Sequence, residues 1–167
     1  MDTVIMAGGT GSRMGTSKKM LLEINGEKII DRVVRILHSQ NFRISLCISE
    51  NTLFLHEYPE VRIVMGKGSY AEDLSFAVGM CSLPVLVVPA DVIFSPEMIE
   101  NFIEQSISLE TGIVTLMVNN KLSGISIFFK NPGNENLPYR NIKIEREDFF
   151  NLNFSEDYRR AIEYLEK

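Results

Sequence analysis

The stretch Thr3-Val-Ile-Met-Ala-Gly-Gly-Thr-Gly-Ser-Arg-Met-Gly-Thr-Ser-Lys-Lys-Met-Leu21, close to the start of the chain, decides the fold. Its apolar run from Val4 to Ala7 reads as a short buried strand. The run ends in Gly8, Gly9 and Gly11, which can take conformations closed to other residues and bring backbone N–H groups close to a ligand. Successive N–H groups in such a turn form a concave nest that suits a phosphate. Arg13 and the pair Lys18 and Lys19 add positive charge to the same neighbourhood. A strand that runs into a phosphate cradle with its own cations predicts an α/β fold.

Two widespread phosphate motifs do not fit. The dinucleotide fingerprint G-x-G-x-x-G starts at Gly9 and Gly11, but Met14 occupies the place of its third glycine. A Walker A loop needs a glycine directly before Lys and Ser or Thr, and no glycine here meets that requirement.

Outward from the loop, helices and strands alternate. The turn Asn25-Gly26 leads into a helix whose Ile29, Ile30, Val33, Val34 and Leu37 form one apolar stripe. Arg43 to Ser49 and Arg62 to Met65 read as strands, with a short helix or loop between them. A second glycine-flanked loop, Gly66-Lys67-Gly68, follows the latter strand and precedes a helix from about Ala71 to Met80. Such a loop at the carboxyl end of a strand is what a ligand crevice in an open α/β sheet requires. Pro84 to Asp91 is apolar throughout and reads as a central strand that delivers Asp91 to its carboxyl end. Burying a lone carboxylate is costly, and the next helix has its own start signal in Ser95-Pro96-Glu97, so Asp91 is free for another role. Thr111 to Val118 and Ser123 to Phe129 form a hairpin pattern across Asn119-Asn120-Lys121-Leu122. A strand follows between Tyr139 and Phe150, and Ser155 is expected to cap a final helix. The element order predicts a single-domain, Rossmann-like α/β fold over 1–167, with a mostly parallel sheet, an antiparallel part late in the chain and helices on both faces.

Composition narrows the function class. With 17 Lys and Arg against 22 Asp and Glu, the formal net charge is −5, which argues against a nucleic-acid-binding surface. Any polyanion must then be held by local cations and a metal. Cys47 and Cys81 lack metal-ligand spacing, and Cys47 reads as a small buried hydrophobe. No apolar run approaches the roughly 18 residues of a membrane span. The chain begins directly in a strand without the pattern of a signal peptide. The expectation is a cytoplasmic protein that binds neither membrane nor nucleic acid. A homodimer stays open.

The opening motif resembles the signature Ala-Gly-Gly-x-Gly/Ser-x-Arg-Met-Gly-x-x-Lys of the nucleotidyltransferases of the molybdopterin guanylyltransferase type. Ala7-Gly8-Gly9-Thr10-Gly11-Ser12-Arg13-Met14-Gly15 matches it, and comparison with archaeal relatives selects Lys19 rather than Lys18. Met20 stands where the family has a proline. Gly66-Lys-Gly-Ser-Tyr-Ala-Glu-Asp-Leu74 is similar to a segment of the archaeal adenosylcobinamide-phosphate guanylyltransferases, with one residue inserted.

The resemblance implies the nucleotide-diphospho-sugar transferase type of fold. A nucleotide-binding half would span about 1–110 and an acceptor-binding half about 111–167. It also implies transfer of GMP from GTP to a phosphate-bearing acceptor with release of pyrophosphate, adenosylcobinamide phosphate being the leading acceptor. The alternatives are a molybdopterin or sugar-phosphate enzyme, or a non-catalytic nucleotide sensor. Ala7, Gly8, Gly9 and Gly11 would grip the triphosphate, Arg13 the departing pyrophosphate, and Lys19 the α-phosphate. Asp91 would bind Mg²⁺, and Asn153 is a second candidate ligand. Guanine offers an N1–H and an amine that a carboxylate can accept. Asp73, with Gly66, Lys67 and Gly68, is the candidate to read it, and Glu72 is the neighbour that could serve instead. Gly124 would face the acceptor.

Overall fold

Runs of β-branched residues, separated by glycine turns and amphipathic helices, assemble into one seven-stranded sheet. The computed structural model describes residues 1–9, 13–133 and 136–167. In chain order the first half comprises β1 (Asp2–Met6), a 3-10 turn (Lys19–Leu21), β2 (Glu23–Ile24), β3 (Glu27–Lys28), α1 (Ile29–Ser39), β4 (Arg43–Ile48), a second 3-10 segment (Glu50–Leu55), β5 (Arg62–Met65) and α2 (Tyr70–Gly79). The second half comprises β6 (Val85–Pro89), β7 (Val92–Ile93), α3 (Pro96–Ile107), β8 (Ile113–Val118), β9 (Lys121–Phe128), β10 (Tyr139–Ile144), β11 (Phe150–Asn151) and α4 (Ser155–Leu165). Among the described residues no helix is long and apolar enough to cross a membrane.

The large sheet runs β10-β8-β9-β6-β1-β4-β5. Strands β6, β1, β4 and β5 are parallel, β9 lies antiparallel between β6 and β8, and β10 is parallel to β8. The expected hairpin is present: Asn119 and Asn120 both take positive φ, at 52° and 63°, and join β8 to β9. Alternation along β1 shows why its sequence is apolar at every step. Ile5 packs with Ile30, Val33 and Leu37 of α1 and with Met98, Ile99 and Phe102 of α3. Val4 and Met6 pack with Ala77 and Val78 of α2 on the other face. Both faces are covered, as a parallel sheet requires.

Two local expectations change. Asn25-Gly26 does not lead straight into the helix: with φ of 53° and 75° it closes a small hairpin of β2 and β3 ahead of α1. Ser155 is the first residue of α4 rather than its cap. The cap position belongs to Phe154, and the Asp157 carboxylate accepts the free N–H groups of Asn153 and Phe154 at 3.0 and 2.8 Å.

Strand order explains where a ligand should sit. From β1 the chain crosses to β4 and β5 on one side, then returns to β6 on the other side of β1. The connections therefore part between β1 and β6, and the crevice at the carboxyl ends of these two strands is the switch point of the sheet.

Candidate functional site

Gly8 and Gly9 follow β1 into this crevice. The Ala7 N–H donates to the Cys47 carbonyl at 2.8 Å, which holds the start of the loop on the sheet. Gly9 has φ +136°, a conformation other residues rarely adopt. Gly8 lies against Ser49, whose Oγ would be 3.6 Å from an added Cβ. That hydroxyl is buried and has no partner among the described residues, a feature the sequence reading missed. Gly11 lies outside the described residues. Arg13 is exposed, outside the described lining of the crevice.

Across the crevice, β6 ends at Pro89, and the Ala90 N–H donates to the Met6 carbonyl at 3.0 Å. Asp91 follows, facing Lys19 from the 3-10 turn after the glycine loop. The Lys19 ammonium pairs with the Asp91 carboxylate and donates to the Leu152 carbonyl at 3.3 Å. These side chains are only 19% and 14% exposed, so screening by water is limited. Lys18 points elsewhere, its ammonium 5.8 Å from the centre of the Phe54 ring. The structure thus separates the two adjacent lysines, and Lys19 is the one in the crevice.

Asn153 reaches the same place by a route the sequence does not show. Strand β11 pairs antiparallel with β7, Asn151 opposite Val92, and the Leu152 N–H donates to the Asp91 carbonyl at 3.1 Å. Leu152 is fully buried, while Asn151 and Asn153 both line the crevice. A period of two through Asn151-Leu152-Asn153 puts both amides on one side, the signal by which sequence could have found Asn151. The enclosed volume is about 210 Å³, lined by Gly8, Gly9, Lys19, Asp91, Asn151 and Asn153 among others. Tyr70 closes one side. It is more than half exposed, yet its hydroxyl end is enclosed enough that burial first, and the Asp91 charge second, push the phenol above its ordinary value.

The second loop differs from expectation in one respect. Asp73, assigned to the base, is buried under the loop, where its Oδ1 accepts the Lys67 and Gly68 N–H groups at 2.7 and 3.0 Å. Two adjacent N–H groups turned inward need an acceptor, and this carboxylate is the one in reach. Glu72 is equally committed: it accepts the Ser69 N–H at 2.9 Å, and Ser69 Oγ accepts the Glu72 N–H at 3.3 Å, a capping box at the start of α2. The Gly66 N–H donates to the Ile48 carbonyl at 2.8 Å, and the Lys67 ammonium lies 5.5 Å from the Phe76 ring centre. Asp73 also acts at a distance. The Cys47 thiol is pushed up to about 11, by burial first and by the Asp73 charge second, and both cysteines are free. Gly124, expected to face an acceptor, instead faces Pro89: its φ is +83°, and an added Cβ would lie 2.6 Å from the proline Cγ. It lets β9 approach the strand end that carries Asp91.

Among the described residues no cluster of three or more His, Cys, Asp and Glu is present. The side-chain oxygens that line the crevice are one carboxylate, Asp91, the amides of Asn151 and Asn153, and the hydroxyls of Ser17 and Tyr70. Such a hard and incomplete set could hold a divalent cation that takes one carboxylate and completes its shell with water and substrate phosphates.

The model of the MobA-like NTP transferase domain matches residues 3–131. The chain belongs to that family. The matched span holds both glycine loops, Lys19 and Asp91, and stops before β11. The chain is also similar to the adenosylcobinamide-phosphate guanylyltransferase of Methanocaldococcus jannaschii, 40% identical over 104 residues that make up 56% of this chain and 53% of that relative. It spans about half the length of this curated relative.

Molybdopterin-guanine dinucleotide biosynthesis protein A of Archaeoglobus fulgidus superposes with a TM-score of 0.75 over 99% of both chains, at 17% identity. A Mycobacterium tuberculosis H37Rv protein solved in complex with manganese superposes with a TM-score of 0.72 over 97% of both chains, at 13% identity. These likenesses establish the fold of this nucleotidyltransferase domain.

Proposed function

We propose that this domain transfers GMP from GTP to a phosphate-bearing acceptor, adenosylcobinamide phosphate, and releases pyrophosphate. The observation that carries this reading is the pairing of Lys19 with Asp91 directly across the switch point from Gly8 and Gly9. The family membership and the 40% identical guanylyltransferase support it.

The chemistry asks for position and charge. An oxygen of the acceptor phosphate forms a bond to the α-phosphorus of GTP, and the bond from that phosphorus to the α–β bridging oxygen breaks. The electron pair leaves with pyrophosphate. An ionised phosphate is already a nucleophile, so no general base is needed, and neither histidine lines the crevice.

The N–H groups after β1 grip the phosphates. Lys19 leaves Asp91 to meet the charge that grows on the α-phosphate. Arg13, a planar fork of donors, takes the departing pyrophosphate from its exposed position. Asp91, with Asn153 and Asn151 beside it, would hold Mg²⁺. When bound, this ion supplies Lewis-acid polarisation of the phosphate oxygens. Gly66, Lys67 and Gly68, outside the described lining of the crevice, would form the base-side wall, with Asp73 as the brace that shapes their loop.

Melting temperature measured with Mg²⁺ and each of GTP, ATP, CTP and UTP tests the nucleotide. A ligand at about a hundred times its dissociation constant adds ~2.7 kcal/mol, a visible shift. A shift with GTP alone, weakened in Asp91→Asn, is expected. A shift with CTP or UTP alone would refute the guanylyl assignment.

A further inference from the structure

The crevice between the glycine loop and Asp91 is not the one hollow among the described residues. A cleft of about 300 Å³ opens beside that crevice and shares Asn151 and Asn153 with it. On its other side it shares Asn119, Phe149, Phe150 and Arg160 with an open hollow of about 690 Å³ against α4.

Two properties of the middle cleft are unusual. Its lips are apolar: Leu122 at the tip of the β8–β9 hairpin and Phe154 before α4 are 66% and 55% exposed. A single exposed hydrophobe is ordinary, but two facing one cleft mark a binding surface. The charge is the second property. The protein carries a net −5, yet Lys121 and Arg160 line this cleft and pair with no carboxylate among the described residues. The carboxylate nearest them in the lining, Asp157, is already occupied by two backbone N–H groups. Beyond Arg160 the outer hollow carries charges of both signs, Glu145, Glu147 and Glu163 beside Arg146 and Lys167. Within the middle cleft, Lys121 and Arg160 thus place positive charge without a paired carboxylate next to Asn151 and Asn153.

We infer that this middle cleft is the acceptor subsite and that it favours phosphates whose body offers an apolar surface to Leu122 and Phe154. This rests on the nucleotidyl-transfer reading above. Lys121 and Arg160 draw the acceptor phosphate toward Asp91, while Leu122 and Phe154 hold the body.

The test is steady-state kinetics with GTP and adenosylcobinamide phosphate for the wild type, Arg160→Ala and Phe154→Ser. All substituted positions are exposed, and serine is a favoured residue at the helix cap that Phe154 occupies, so the fold is preserved. Each variant is expected to raise the acceptor KM at least about tenfold, as for the loss of a charged hydrogen bond or a buried aromatic contact. KM for GTP and the GTP-induced melting shift should not change. Wild-type turnover with an unchanged acceptor KM in both variants would overturn the subsite alone. Absence of wild-type turnover with any phosphorylated acceptor would remove the nucleotidyl-transfer reading, and the subsite with it.

Discussion

Gly66 and Asp73 should behave as one unit when they are substituted together. A Cβ built on Gly66 overlaps the Asp73 carboxylate, 2.5 Å from its Cγ and 2.9 Å from its Oδ1. That carboxylate is not a free side-chain end, because it accepts the N–H groups of Lys67 and Gly68. Gly66→Ala must therefore push Asp73 away and break both bonds. Hydrogen bonds to a charged group contribute about 1.5–3 kcal/mol each, and the released N–H groups at the loop surface recover part of this from water. A net loss of about 2–4 kcal/mol follows, or roughly 4–16 °C in melting temperature for a chain of this size. Asp73→Ala removes the same two bonds and should cost a similar amount. The double variant has nothing left to collide or to lose, so it should be about as stable as either single one rather than twice as destabilised. Urea denaturation of the four proteins measures this coupling directly. Additive losses, within about 0.5 kcal/mol, would refute the shared mechanism.

The adjacent lysines should part company in kinetics. Lys19→Ala should lower kcat about 10²–10³-fold, as for the loss of one electrostatic stabiliser, while Lys18→Ala, whose partner is the Phe54 ring, should leave turnover unchanged. The pair Arg146–Asp148, with two contacts of 2.8 Å, gives a pH dependence. Hydrogen bonding to Arg146 holds the Asp148 carboxyl below its ordinary value, so its contribution is complete above about pH 4 and is lost as the pH falls through the depressed folded-state value. The stability gap between wild type and Asp148→Asn, measured by thermal melts, should be open at pH 7 and close only in strong acid.

Features encoded locally were legible in the sequence. The apolar run ahead of Gly8, the strand that delivers Asp91 and the Ser95-Pro96 start of α3 all depend on neighbours within a few residues. In the structure Ser95 Oγ accepts the Met98 N–H at 3.3 Å, as its place before the helix predicts. Features that depend on tertiary pairing were not legible. Asn151 and Asn153 reach Asp91 because β11 pairs with β7, and strands of two residues carry too little pattern to reveal that pairing. For Asp73 the sequence shows a carboxylate near a glycine loop but not that the loop turns the Lys67 and Gly68 N–H groups toward it. The β2–β3 hairpin was hidden by similar brevity, although Asn25-Gly26 has the residue types its turn demands.

The central claim is that Asp91 and Lys19 serve nucleotidyl transfer at the α-phosphate. The most direct measurement supplies α-labelled GTP, Mg²⁺ and adenosylcobinamide phosphate to the wild type and to Asp91→Asn, then follows pyrophosphate and the label together. Transfer predicts acceptor-dependent pyrophosphate release, equal in amount to label gained by the acceptor, and its loss in Asp91→Asn. Release of orthophosphate in place of pyrophosphate, or undiminished transfer by Asp91→Asn, would contradict the account.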